Sequence, residues 1–404
     1  MAIATDAPAH DQVSGPAEAR AFSVAAEANT KRLLVLLALT AVVWLVFNQL
    51  TDGIFLTSRN LSNVSVQLSM TALAAIGITL LLFVRQIDLS VGSLYAVVAV
   101  MTVLVQVRHQ WDTPAAVALG LAIGLALGAF NGAVVTRVGV PAFVVTLAAW
   151  TYLQGFAFAI SDAQVLAGTR ESFRAIASST IPVPLTIAVG AAGLGIWAWT
   201  RRGRLTLAVR RPRPDRAGQG PRPVDMLAGA ATIAALGVTL AVFATHRGVP
   251  YPVVIVAVVA AVGLFVTRKT TLGRHIYAIG GNREAARRAG LKVDRIILGL
   301  FCVMGLLTAL AGIIQASRLD AGPPSVGPFL ALDAISAAVV GGTSLFGGVG
   351  SIVGTLLGTL LLASIANGLS LMGINTFYQY MASGVILLAV VSIDAIGHQR
   401  VRRA

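Results

Sequence analysis

Apolar runs of about twenty residues recur along this chain and constrain its fold more than any other feature. A helix needs roughly 20 apolar residues to cross the hydrocarbon core of a bilayer. Backbone polar groups in lipid must find partners within their own segment, so such runs are expected to be helices. The sequence predicts twelve of them: Leu33–Leu50, Val66–Val84, Val91–Val107, Pro114–Thr136, Pro141–Ile160, Ile181–Thr200, Met226–Thr245, Tyr251–Thr267, Ile296–Ala316, Leu332–Phe346, Val349–Leu369 and Phe377–Ile393.

The fold class predicted from these runs is an all-α polytopic membrane protein. Only 11% of the 404 residues are charged and 56% are hydrophobic, whereas a soluble domain carries about 25% charged residues. That composition excludes a soluble enzyme and a disordered scaffold, because the chain lacks the polar surface either would need. Leu332–Phe346 is short enough to be a half-helix, so broken or re-entrant helices are also expected.

The net charge of +14 is distributed unevenly between the predicted loops. The twelve-span arrangement puts 24 Lys and Arg on one side and 6 on the other. Cytoplasmic loops carry such an excess, so both termini are predicted to be cytoplasmic and the charge need not indicate nucleic acid. The predicted organisation is a polar tail (1–30), one transmembrane domain (31–393) with an Arg/Pro-rich loop (201–225) and a second basic loop (268–295), and a basic tail (394–404).

Signatures of catalysis are missing from the sequence. There is no phosphate-binding loop, no His-Glu-x-x-His pair within a span and no serine nucleophile elbow. The chain is therefore predicted to be no enzyme and to hold no metal or cofactor of its own. Acidic residues within the spans are scarce, with Asp88 and Asp333 as the candidates. That scarcity weighs against an ion-coupled secondary transporter, which usually needs acidic or His relays.

A polar break separates two apolar runs at Ile87–Ser93. Asp88 and Ser90 are good N-cap residues, and they predict a helix that begins at Val91. A helix that begins within the membrane would direct its positive end at a cavity. The alternative is an ordinary cap on a short cytoplasmic turn, and the sequence leaves both readings open.

A glycine-rich stretch runs from Gly341 to Ser351 and contains Thr343 and Ser344. In a membrane, such a stretch permits a broken helix or close packing of backbones. Neither reading requires that these residues bind a ligand.

The 268–295 loop contains a capped short helix by local rules. Asn282 can cap it, and Glu284 suits its first turn. Arg287 suits its end, and Gly290 suits the stop that follows. Such a helix either docks into a partner or lies on anionic lipid headgroups. The site predicted here comprises Gly280, Gly281, Asn282, Glu284, Ala285, Ala286, Arg287 and Gly290.

Several motifs resemble those of bacterial ABC importer permeases, in matching order. The stretch from Glu284 to Gly290 is similar to their Glu-Ala-Ala…Gly coupling loop. The ribose/xylose-type monosaccharide permeases have similar motifs to those at Ile87–Ser93, Asn131-Gly132, Val140–Ala148, Gly273–Gly290 and Leu332–Gly350. The longer, xylose-type form in particular is resembled by the central section Ile181–Thr245 with its Arg-rich loop, and by Thr51–Gly53, Tyr277–Asn282 and Arg247–Pro250. The resemblance runs from about Leu33 to Ile393. It departs at Ala331, where the family often has Glu, so any role of that acid is lost here.

The resemblance implies a membrane subunit that imports a monosaccharide, xylose first and ribose as the alternative, by alternating access. Two copies would form the pathway in the bacterial cell membrane. Two ATP-binding subunits, which carry ATP and Mg, would dock on the Glu284–Gly290 loops, where Ala285 and Ala286 allow close contact. An extracytoplasmic binding protein would deliver the sugar. The candidate pathway and gating residues are Gln67, Asp88, Ser90, Asn131, Thr146, Trp150, Gln154, Asp333, Thr343, Ser344 and Asn367.

Overall fold

The computed structural model describes residues 16–188, 223–385, 388 and 392, and most of what it describes is helical. The helices are α1 (Pro16–Leu50), α2 (Ser58–Phe83), α3 (Val91–His109), α4 (Thr113–Ala133), α5 (Ala142–Ile160), α6 (Glu171–Ser178), α7 (Pro223–Thr245), α8 (Tyr251–Lys269), α9 (Thr271–Gly281), α10 (Arg283–Arg288), α11 (Val293–Leu319), α12 (Leu330–Val340) and α13 (Ile352–Leu371). A π-helix, Val134–Val138, continues α4, and residues 376–385 are also helical.

Four two-residue strands complete the described structure. They are β1 (Leu166–Ala167), β2 (Thr180–Ile181), β3 (Val249–Pro250) and β4 (Ala321–Gly322). β1 pairs antiparallel with β4, and β2 pairs antiparallel with β3. These pairs connect segments that are far apart in sequence at a single end of the helix bundle.

Eight helices within the described residues are long and apolar enough to cross a membrane: Thr30–Leu50, Ser58–Phe83, Val91–His109, Thr113–Val138, Ala142–Ile160, Tyr251–Lys269, Val293–Leu319 and Ile352–Leu371. Each overlaps one of the twelve predicted segments. The chain is therefore a mostly helical membrane protein, as the sequence predicts.

The other four predicted segments have different outcomes. Met226–Thr245 falls within the 23-residue helix α7. Leu332–Phe346 is helical only as the 11-residue α12, because consecutive Gly341 and Gly342 (φ +98°) end it, which matches the half-helix alternative. Ile181–Thr200 and Phe377–Ile393 extend beyond the described residues, as do the 1–30 and 394–404 tails and most of the 201–225 loop.

The bundle has an α10 end and a β-strand end. The α10 end holds α9, α10, the C-terminus of α2 and the 341–350 loop; the β-strand end holds the strand pairs and α6. The six arginines that the sequence places opposite the basic loops lie at the β-strand end: Arg59, Arg108, Arg170, Arg174, Arg247 and Arg318.

The interior of the bundle is built from α2, α3 and α11. In the most apolar stretch of α2 and of α3, 78% of residues are buried, against 22% for α5 and α8. Glycines bring α4 against α11, since a side chain at Gly124 or Gly128 would collide with the α11 backbone at Gly305 or Phe301. Small residues at such contacts allow helices to approach closely in a membrane.

Helix α3 begins beside the second half of α11. Tyr95, near the start of α3, lies against Gly312, which is nearly three quarters of the way along α11. The backbone of Gly327, just before α12, packs on Gly92. The first turn of α3 and the segment before α12 therefore lie against each other within the bundle.

Candidate functional site

The short helix α10 is capped as its sequence predicts. The side-chain oxygen of Asn282 accepts a hydrogen bond from the Ala285 amide at 2.9 Å. At the other end Gly290 adopts φ +83°, a left-handed conformation that glycine takes at little cost. Between these two stops, nearly every residue of α10 is exposed. The capped helix is therefore presented to solution at the α10 end.

The charged side chains of α10 form ion pairs within the chain. Arg287 contacts Asp294 at 2.9 Å, and Arg288 contacts Glu284 at 3.3 Å. These side chains are between 45% and 80% exposed. Exposed pairs contribute only about 0–1 kcal/mol, so they can be exchanged for contacts with another protein at little cost.

The two alanines of α10 have different environments, which corrects one expectation from the sequence. Ala285 is exposed, but Ala286 is 5% exposed and belongs to the hydrophobic core of this chain. Two adjacent residues of a helix point about 100° apart, so one can face the core while the other faces solution. Ala286 anchors α10 to its own protein, and Ala285 is the alanine available for an outside contact.

The end of α9 packs closely on α2 and on the 341–350 loop. The Gly348 amide donates a hydrogen bond to the Phe83 carbonyl at 3.1 Å. A side chain on Gly280 would collide with the backbone of both Phe83 and Gly348, whereas one on Gly281 would meet nothing within 4 Å. Gly280 is therefore a packing residue, and Gly281 is exposed.

Arg85, which the sequence reading did not select, binds the last carbonyls of α9. Its Nε donates to Gly280 O at 2.6 Å, and its Nη2 donates to Gly281 O at 2.7 Å. Beside it, the rings of Tyr277 and Phe83 lie 4.8 Å apart. Burial raises the pKa of the Tyr277 hydroxyl, which stays protonated near neutral pH.

The Ile87–Ser93 break forms a buried polar cluster. Asp88 Oδ1 accepts from the amide of Ser90 at 2.8 Å and from its hydroxyl at 2.6 Å. Asn131 Nδ2, on α4, donates to the Ser90 hydroxyl at 3.1 Å. All three side chains are at most 3% exposed. The cluster therefore joins α3 to α4 inside the bundle and is not a solvated turn.

Capping at this break differs in detail from the prediction. Ser90 occupies the N-cap position of α3, but its side chain makes no capping bond. Asp88 folds back on Ser90 instead, in the manner of an Asx turn. Thr146 is buried and donates to Ala142 O at 2.9 Å and to Ile87 O at 3.4 Å, which brings α5 against the same turn.

Gln154 lies further along α5, outside this cluster. Its Nε2 donates to Pro324 O at 3.0 Å, and its Oε1 accepts from Ser93 at 3.4 Å. It therefore connects α5 to α3 and to the segment between β4 and α12. Trp150, one turn earlier, is 36% exposed and makes none of these contacts.

Three further pathway candidates lie away from the cluster. Asn367 exchanges amide hydrogen bonds with Asn60 at 2.9 and 3.2 Å, which joins α13 to α2 near the β-strand end. Gln67 is exposed on α2, and Asp333 is half-buried in the first turn of α12. Asn367 thus holds two helices together.

The two hydroxyl candidates of the glycine-rich stretch lie at the α10 end. Ser344 accepts from the Phe346 amide at 3.2 Å. Thr343 is 1% exposed, and its hydroxyl has no partner among the described residues. The Thr343 side chain lies against Gly350, which has no side chain of its own to collide with it. These residues shape the loop that Gly280 contacts.

A cleft of about 590 Å³ lies at the C-terminal end of α13 and is lined by Leu369, Gly373, Ile374, Asn375, Tyr378 and Ala382. None of these was a sequence candidate. Across the described parts of the chain, no group of three His, Cys, Asp or Glu side chains is arranged to hold a metal ion.

Arg85 and Asn60 are the polar residues that the sequence reading missed. Arg85 follows an apolar run directly and precedes the Asp88 turn, and a cation at that place was the available signal. Its partners lie 195 and 196 residues away along the chain. No local rule identifies such partners, so the contact becomes visible only in the folded structure.

Comparison with known proteins gives one family and several relatives. The family described as the permease component of branched-chain amino acid transport systems matches residues 60–391. The xylose transport system permease protein of Escherichia coli K12 is 37% identical over 372 residues, 91% of this chain and 93% of that protein. The corresponding protein of Haemophilus influenzae is 36% identical over 90% of this chain and 96% of its own length.

A second group of relatives carries another sugar in its name. The ribose import permease protein of Escherichia coli K12 is 34% identical over 379 residues, 93% of this chain and 96% of that protein. No solved structure matches the chain.

Proposed function

Because the chain belongs to the family of transport-system permease components, we propose that it is the membrane subunit of an ATP-driven importer of xylose. The observation that carries this is the 37% identity to a xylose permease across 91% of the chain. The protein resides in the bacterial cell membrane. ATP hydrolysis belongs to a separate subunit, and this chain supplies the path and the docking surface.

The partners follow from the same class of transporter. Two copies of this chain, two ATP-binding subunits and an extracytoplasmic sugar-binding protein make the working complex. Both termini and the α10 end face the cytoplasm, which the concentration of basic residues at that end supports. The small, capped and exposed helix α10 is the docking element for the ATP-binding subunit.

The structure supports a specific division of labour within α10. Ala286 is fixed in the core, so α10 and the bundle move together when the partner subunit moves. Ala285 offers a surface with little bulk, and the exposed Glu284 and Arg287 are available for charged contacts. Closure of the ATP-binding subunits would thereby be transmitted to α9 and to the C-terminus of α2.

Sugar uptake in proteoliposomes tests the proposal. The permease is reconstituted with its ATP-binding subunit and binding protein, and labelled xylose and ribose are offered separately with ATP inside. We expect xylose to accumulate only with hydrolysable ATP. Accumulation of ribose alone would support the second candidate, for which the 34% identity to a ribose permease speaks. Uptake driven by an ion gradient without ATP would contradict both.

Docking through α10 is tested by Ala285→Trp. The bulky side chain would occupy the exposed face that the ATP-binding subunit needs, while the core of the permease is untouched. We expect loss of co-purification of the ATP-binding subunit and a fall in uptake, with no change in the yield or thermal midpoint of the permease. Ala285→Ser adds one oxygen atom and serves as the control. Normal co-purification of Ala285→Trp would refute docking at this face.

A further inference from the structure

Arg85 holds together three segments that meet at the α10 end. Its guanidinium binds both of the last two carbonyls of α9, at 2.6 and 2.7 Å. Carbonyls at a helix C-terminus have no partner within the helix, and a cation there also complements the helix dipole. One side chain therefore caps the helix that leads directly into α10.

The backbone of Arg85 is itself in an unusual conformation. Its φ is +60°, in the left-handed region that residues other than glycine, asparagine and aspartate seldom adopt. A strained residue of this kind persists only where its surroundings fix it, and such residues cluster at functional elements. Here the stem of Arg85 lies against Gly347, where any side chain would collide with it.

The segment that carries Arg85 is short and is held at both ends. The Gln86 amide donates to Leu81 O at 3.0 Å, at the end of α2. Three residues after Arg85, Asp88 holds Ser90 at the start of α3, and Ser90 accepts from Asn131 of α4. The short segment from Arg85 to Asp88 is therefore fixed at both ends, and its backbone has little freedom to rotate.

We propose that Arg85 is a positioning residue that transmits movement of the α10 docking helix to the Asp88–Ser90–Asn131 cluster at the start of α3. The inference rests on the proposed function, because it assigns a route for the movement that ATP closure would impose on α10. The route runs from α10 through the carbonyls of Gly280 and Gly281 to Arg85, and from there along the chain to Asp88. Arg85 contacts neither the sugar nor ATP.

A purely structural role predicts a different behaviour from a transmitting one. If Arg85 only stabilised the fold, its loss would lower the thermal midpoint and the amount of active complex, but each active complex would import as much sugar per ATP as before. If Arg85 transmits movement, the complex stays assembled and hydrolyses ATP, while the sugar imported per ATP falls. The ratio of uptake to hydrolysis separates the two.

The experiment compares Arg85→Gln and Arg85→Lys with the wild type in proteoliposomes containing the complete complex. Lysine retains a cation but offers one nitrogen where arginine offers a fork to two carbonyls. We expect xylose imported per ATP to fall by about fivefold or more in Arg85→Gln, the lower end of typical coupling between sites. Arg85→Lys should fall between Arg85→Gln and wild type, with co-purification of the ATP-binding subunit retained in both.

Arg170→Gln is the matched control, because Arg170 also donates to a backbone carbonyl, that of Gln110 at 2.6 Å, but at the β-strand end. It should leave the import ratio unchanged. An unchanged import ratio in Arg85→Gln would overturn the inference, whether or not its thermal midpoint falls. If Arg85→Gln does not fold, an unchanged import ratio in Arg85→Lys would overturn it. A wild-type complex that imports no sugar would count against the proposed function instead.

Discussion

The two ends of the bundle are held together by different kinds of contact. At the α10 end, the segments meet through backbone atoms and glycines, as where Gly280 packs on Phe83 and Gly348. At the β-strand end, charged side chains add to the two strand pairs, as in Arg108–Asp162 at 3.1 Å and Arg174–Asp320 at 3.4 Å. A junction of backbone atoms has no rotamers to absorb a displacement, whereas a pair of long side chains has several.

The difference suggests that the ends do different mechanical work. A docking helix must pass a displacement onward, so a stiff junction behind it is an advantage. The β-strand end lies away from the proposed docking helix, and its charged side chains can absorb a displacement by rotating. Three substitutions, in order of decreasing expected effect and with two further variants for comparison, test whether this contrast is real.

Gly280→Ala should have the largest effect. Its new methyl group would collide with backbone atoms of Phe83 and Gly348, which cannot turn away as a side chain can. Overpacking of this kind typically costs about 1–3 kcal/mol. We expect a lower thermal midpoint of the purified permease and less ATP-binding subunit recovered with it.

Gly281→Ala is the matched control for this substitution. An added methyl group there meets nothing within 4 Å, and alanine favours the helix more than glycine does. Its thermal midpoint should equal or slightly exceed that of the wild type. If the two variants behaved alike, the α10 end would be no stiffer than its surroundings and the contrast between the ends would fail.

Asp320→Asn should have an intermediate effect at the β-strand end. Asp320 Oδ1 accepts from the hydroxyl of Thr169 at 2.6 Å and from its amide at 2.9 Å. Asparagine tolerates the left-handed φ of +52° and keeps an acceptor, but it loses the charge that strengthens these bonds. A loss of about 1 kcal/mol is expected from the difference between charged and neutral hydrogen bonds, read from chemical denaturation.

The same bonds predict how this contact responds to pH. The hydrogen bond from Thr169, followed by other smaller influences including Arg174, lowers the pKa of Asp320 below its ordinary value of 3.8. A lowered pKa stabilises the fold above the unfolded-state value and ceases to do so as pH falls through the folded-state value. Stability from Asp320 should therefore be constant from pH 8 to 5 and fall only below about 3.8.

Asp162→Asn, in the more exposed pair, should change stability by no more than about 0.5 kcal/mol.

Glu284→Gln should have the smallest effect on the permease alone. It removes one exposed pair, with Arg288 one turn later, which is worth about 0.2–0.5 kcal/mol. The thermal midpoint should stay within error of the wild type at low and at high salt. A drop of several degrees would show that α10 depends on its surface charges for folding, and that the stiffness of this end is not a property of its backbone contacts.

Local rules account well for the parts of the site that are local. Asn282 and Gly290 delimit α10 in sequence and in structure, because a cap depends on a handful of neighbouring residues. The polar break at Asp88 was also evident from the sequence. The hydrogen bond that Asp88 makes was not predictable, because either Asp88 or Ser90 can cap a helix and the choice depends on the surrounding helices.

Contacts between distant segments escape such rules. The sequence assigns Ala285 and Ala286 the same role, and only the docking of α10 on its own core separates them. The hydrogen bonds of Arg85 exist only because α9 lies beside α2 in the folded chain. The ends of the spans are partly predictable from local sequence. Helix α12 stops at Gly341, as the glycines indicated, but its start depends on how the preceding loop packs on Gly92.

The burial of α2 and α3 has a consequence for how the protein is made. Both pack against α11, which is synthesised roughly 200 residues after α2. At about 5–20 residues per second, the delay is on the order of 10–40 s. During that time the polar cluster at Asp88 has to lie in the membrane without all of the helices that later surround it. These two early helices therefore remain in the membrane for that time without the helix on which they finally pack.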